Sequence, residues 1–110
     1  MLVALAGCAS LPPPNQELGA AQAAVAAAGQ DGQRYAADEL ATAQRELNEA
    51  RTAMTQEDYT RARALIAAAQ ADADLAGAKG RALAGQAQVA AKTRDNAELR
   101  RRLLDQEPLP

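Results

Sequence analysis

The stretch AADELATAQRELNEARTAM, residues 36–54, decides the fold, because Ala36, Leu40, Ala43, Leu47, Ala50 and Met54 recur at alternating spacings of four and three. That is the period of a helix with one apolar face turned toward a partner. Asp38, Glu39, Arg45, Glu46, Glu49 and Arg51 fall on the other faces. Residues 55–58 break the pattern, and Asp58 then stands as a helix cap before a second stripe with the same spacing: Tyr59, Ala62, Ile66, Ala69, Ala73, Ala76, Gly80, Leu83, Ala87 and Ala90, with Leu65 and Leu75 beside it. Small side chains on both stripes let the backbones approach closely, which predicts a tight antiparallel hairpin. Toward the amino terminus, Leu18, Ala21, Val25 and Ala28 mark a further helix that Asn15 would cap and that Gly29, with Gln30-Asp31-Gly32, would close. The expected fold class is all-α: an alanine-rich helical hairpin or three-helix antiparallel bundle with a long third helix. Gly77, Gly80 and Gly85 each cost about 1 kcal/mol relative to alanine in a helix, so a bend or fraying is expected there.

Composition limits what such a chain can do. The apolar residues are mostly alanine, with no Phe, no Trp and only Tyr35 and Tyr59, so each buried position removes little surface from water and the core is thin. Net charge is −2 with both signs interspersed, which gives no field for nucleic acid. Histidine is absent, Ser10 is the one serine and Cys8 the one cysteine. That removes the usual nucleophile and base pairs, most transition-metal ligands and any intramolecular disulfide. The expectation is therefore no enzyme, no catalytic residue, no cofactor and no metal. Asp72 and Asp74 are close in sequence, but residues two apart on a helix diverge, and solvated surface charge is expected for both. Tyr35 and Tyr59 are the candidate interaction anchors, each read as beginning a helix, with packing of the ring on a neighbouring helix favoured over ligand contact. Arg100-Arg101-Arg102 reads as a solvated cluster complementing a helix C-terminus, with an anionic partner as the sharper alternative.

The amino terminus is of another kind. Met1 to Ala9 is apolar but far too short to span a bilayer as a helix, and reads as a processing signal. Leu5-Ala6-Gly7-Cys8 resembles the bacterial lipobox: a branched apolar residue, two small residues, then the cysteine that receives lipid. No Lys or Arg precedes it, so the signal peptide, residues 1–7, reads as truncated at its start. Pro12-Pro13-Pro14 cannot continue a helix and makes residues 8–14 a stiff leash behind the lipidated cysteine. By resemblance to the Gram-negative sorting rule, Ala9 in place of aspartate after the cysteine implies the outer membrane. Residues 15–106 are then the helical domain and 107–110 a disordered tail.

The segment from Arg34 to Lys79 resembles the bacterial lipoprotein family known as domain of unknown function 4398, DUF4398. The likeness lies in Tyr35-Ala36-Ala37-Asp38-Glu39-Leu40, in Leu47, in Asp58-Tyr59-Thr60-Arg61-Ala62-Arg63, and in Asp72-Ala73-Asp74-Leu75-Ala76-Gly77-Ala78-Lys79. Ala37 stands where the family pattern has a proline. Residues and resemblance together lead to the expectation of a non-enzymatic outer-membrane lipoprotein. It would be held at the periplasmic face by lipid on Cys8, its helical domain acting as a spacer or as an interaction module for an envelope protein. The alternative expectation is a self-associating coiled-coil scaffold, a homo-oligomer, because the seam of the third helix extends beyond what the second can cover.

Overall fold

The computed structural model describes residues 11–106 as three helices: α1 (Asn15–Tyr35), α2 (Ala37–Thr55) and α3 (Tyr59–Asp105). One cluster of buried residues joins Ala21, Leu47, Ala50, Ile66 and Ala69; a second joins Ala28, Ala36, Leu40 and Ala76. From one cluster to the other α1 and α3 ascend together while α2 descends, so the bundle runs up, down, up. The all-α class and the long third helix agree with the periodicity.

The core is the alanine seam the stripes describe. Among the described residues, apart from Leu40, Leu47, Ile66 and Pro14, every buried residue is alanine or glycine. Leu18, Val25, Met54 and Leu65, each half-buried, close the edges of the clusters.

Local chemistry sets the turns. At the end of α2, Glu57 N–H donates to the carbonyl of Met54 at 3.1 Å and Asp58 N–H to that of Ala53 at 2.9 Å. This is the paired hydrogen bonding of a Schellman motif, with Glu57 in the left-handed position at φ 59° that glycine usually takes. Asp58 then caps α3, its Oδ1 accepting from Arg61 N–H at 3.2 Å. Between α1 and α2 the link is Ala36 alone, whose N–H donates to the carbonyl of Gly32 at 2.8 Å.

Three local expectations are revised. Pro14, not Asn15, is the residue before the first turn of α1, and no side chain caps it. Gly29 does leave helical geometry, at φ 57° and ψ −154°, but the chain re-enters helix and continues to Tyr35. The glycines of α3 do not interrupt or fray it: the helix is continuous from Tyr59 to Asp105. Two of them lie buried where α1 crosses. A Cβ on Gly80 would come within 2.7 Å of the carbonyl carbon of Asp31 and of the nitrogen of Gly32, and one on Gly77 would sit 3.7 Å from the Cα of Ala28. At Gly80 the lost propensity is exchanged for close backbone contact with α1, whereas a Cβ on Gly77 would make only ordinary van der Waals contact with it.

Gly80 is the last buried residue of α3, and residues 86–106 are exposed apart from half-buried Ala91. The helix continues there as a stalk. Its length is about 70 Å in all at 1.5 Å per residue, with roughly 30 Å beyond residue 85. The stalk needs no nucleus of its own, because it propagates from a helix already fixed by packing, and Ala, Gln, Arg, Lys and Leu extend it at low cost. Glu98 pairs with Arg102 one turn along, and Arg102 sits in the last turn, where the helix dipole favours a cation.

Candidate functional site

The end of the bundle where α2 turns into α3 holds the entry of the chain. The carbonyl of Pro12 accepts from Arg63 Nη2, whose Nη1 lies 3.5 Å from Glu17 Oε1 on α1, and Pro14 is buried. Leu11, Pro12 and Pro13 lie against Glu57, Asp58, Tyr59 and Thr60 around an open cleft. The described end of the proline stretch is thus packed on the bundle. Cys8 and the lipobox residues Leu5, Ala6 and Gly7 lie outside the described residues, as does the tail 107–110.

Tyr35 and Tyr59 are not brought together. Tyr59 opens α3 at the entry end, half-buried beside the proline segment. Tyr35 closes α1 at the other end rather than beginning α2, with the Arg34 guanidinium carbon 5.3 Å from its ring centroid. Such a cation–π contact stabilises by about 0.5–1 kcal/mol where exposed. Two half-buried rings at opposite ends of the bundle make no shared recognition surface.

The acidic residues sort differently from their order in sequence. Asp72 and Asp74 diverge as expected: Asp74 accepts from Gln70 on its own helix, whereas Asp72 acts on Glu46 of α2. Burial pushes the Glu46 carboxyl above its ordinary range, and the charge of Asp72 and a hydrogen bond with it push the same way. Glu46 Oε2 is buried without a hydrogen-bond partner. One heptad along, Glu39 pairs with Lys79; the hydrogen bond from Lys79 holds the Glu39 carboxyl below its usual range. Both contacts follow one register, since each step of seven up α2 is a step of seven down α3. The sequence signal for the Glu46–Asp72 contact was therefore present, but only once the pairing of α2 with α3 was fixed.

This arrangement yields a pH prediction. A carboxyl whose folded pKa is raised binds a proton more readily in the folded chain than in the unfolded one, so its contribution to stability falls as pH rises from the ordinary carboxylate range through the raised value. Glu46→Gln removes that penalty and supplies an amide donor toward Asp72. Thermal melts at pH 7 should show the variant more stable by about 1 kcal/mol. The gap should close as the pH falls into the ordinary carboxylate range, where folded wild-type Glu46 already carries its proton; a gap that widened on acidification would contradict the assignment.

Among the described residues no group of three or more His, Cys, Asp and Glu side chains is placed to hold a metal ion, and no helix is long and apolar enough to cross a membrane. The family model described as domain of unknown function DUF4398 matches residues 16–92. No curated protein and no solved structure matches the chain. The matched segment takes in α1, α2 and the packed part of α3, and stops short of the leucines near the stalk tip.

Proposed function

The chain belongs to the DUF4398 family, and from that premise we propose that it is a non-enzymatic lipoprotein of the bacterial outer membrane, attached through lipid on Cys8, that holds a helical spacer in the periplasm. One observation carries the reading: the chain enters the bundle at the α2–α3 turn, held by the Arg63 contact to Pro12, while the stalk leaves from the opposite end. A lipid three residues before Leu11 would set the bundle at the membrane and carry the stalk tip about 70 Å outward. Acyl chains contribute about 0.8 kcal/mol per buried methylene, so two or three of them hold such a protein permanently. The spacer presents its surface to an envelope protein, and its chemistry is that of a contact rather than a reaction.

Metabolic labelling with an alkynyl fatty acid tests the anchor. Wild type should label and partition with outer-membrane vesicles, and Cys8→Ser should do neither. Absence of label from wild type, or label that survives in Cys8→Ser, would refute it.

A further inference from the structure

The face of α3 that packs on α1 and α2 continues up the stalk through Ala87, Ala90, Arg94, Ala97 and Arg101, so charge ends the apolar seam. A different face of the stalk has the better stripe. Val89, Asn96 and Leu103 repeat every seven residues, with Lys92 and Leu99 three residues after the first two. These are the a and d positions of a coiled coil. Val89, Leu99 and Leu103 are 66%, 55% and 60% exposed, and of the large exposed apolar residues described beyond residue 85 only Leu104 lies off the stripe. We propose that the stalks of two copies of this chain pair in parallel along this stripe, forming a short left-handed coiled coil.

The charges beside the stripe specify the partner and its direction. Asp95 and Arg100 occupy the g position and the following e position, which face one another between the two chains of a parallel pair. Each copy supplies both partners, so two attractive contacts form. The other flanking positions along the lower stalk are Gln86, Gln88 and Thr93, which oppose nothing. Parallel pairing also sets Asn96 against Asn96, where each amide meets both a donor and an acceptor. In an antiparallel pair a positions face d positions, so Asn96 would lie against Leu99 or Lys92 and lose the symmetric amide pairing. Lys92 is the cost of the arrangement: two ammonium groups approach at one layer and must reach out of the seam along their aliphatic stems. With few heptads and that layer, the association is weak and concentration-dependent.

Sedimentation equilibrium on the full chain carrying Cys8→Ser, from micromolar to millimolar concentration, should give a monomer–dimer equilibrium. Leu99→Glu with Leu103→Glu should weaken it by more than about tenfold and Lys92→Leu tighten it by about tenfold, with helix content unchanged by circular dichroism. In the same background Asn96→Cys should form an interchain disulfide under mild oxidation much faster than Arg94→Cys, which faces outward. A chain monomeric throughout that range overturns the proposal, as does a dimer unaffected by the two glutamates. Crosslinking at Arg94→Cys as fast as at Asn96→Cys overturns the parallel register. Association in buffer does not require lipid, so failure of fatty-acid labelling and failure of dimerisation are separate results.

Discussion

Gly80→Ala should destabilise the bundle by about 2 kcal/mol, whereas the same substitution at Gly85 should stabilise it by about 1 kcal/mol. Alanine gains helix propensity at both places. At Gly80 the new methyl would meet Asp31 and Gly32 at 2.7–2.8 Å, and every one of those atoms is backbone. No rotamer change can relieve the clash; the last turns of α1 must lift away from α3, and the contact of Gly32 with Ala76 is lost with them. Around Gly85 nothing lies within 4 Å of the added carbon, so only the propensity gain remains. Urea denaturation of the three proteins side by side measures both effects, and equal midpoints for Gly80→Ala and wild type would disprove the close approach of α1 to α3.

Leu47→Ala should cost about 3 kcal/mol, within the range for leucine truncation in a packed interior. The size follows from what surrounds it. Leu47 is 4% exposed and packs with Ala21, Ala50, Ile66 and Ala69. Three of those four neighbours are alanines, which have no side-chain freedom with which to refill a void, so most of the cavity stays open. A small domain has a total stability of about 5–15 kcal/mol, and this thin core sits toward the lower end, so the variant should lose much of its cooperative unfolding transition at 37 °C. Leu104→Ala, at a position 77% exposed, is the control and should melt with wild type.

The α2–α3 hairpin was legible in the sequence because its two stripes carry a strict helical period and Asp58 marks the entry to the second. Gly29 followed by Gln30-Asp31-Gly32 reads as a helix stop, and Gly29 does take a positive φ; residues 30–35 nevertheless return to helical form, with Gly32 buried beside Ala76. The same crossing explains Gly80. Propensity counts its cost without seeing what lies opposite, and what lies opposite is the backbone of Asp31 and Gly32. The candidate site was readable only in part. The anchor motif is a matter of sequence alone, whereas the hold on Pro12 comes from Arg63, which lies 51 residues away along the chain. Tyr35 and Tyr59 looked alike as aromatic starts of helices, yet periodicity could not place them at opposite ends.

The parallel course of α1 and α3 has a mechanical consequence. Tension between residue 11 and the stalk tip pulls α1 from its lower end and α3 from its upper end, so the load runs along the axes of both helices. Their interface is then sheared rather than peeled, and its contacts must fail together instead of one turn at a time. The keyed crossing at Gly32 and Gly80 resists that sliding most directly, which suits the fold to bearing a stretching force between its two ends.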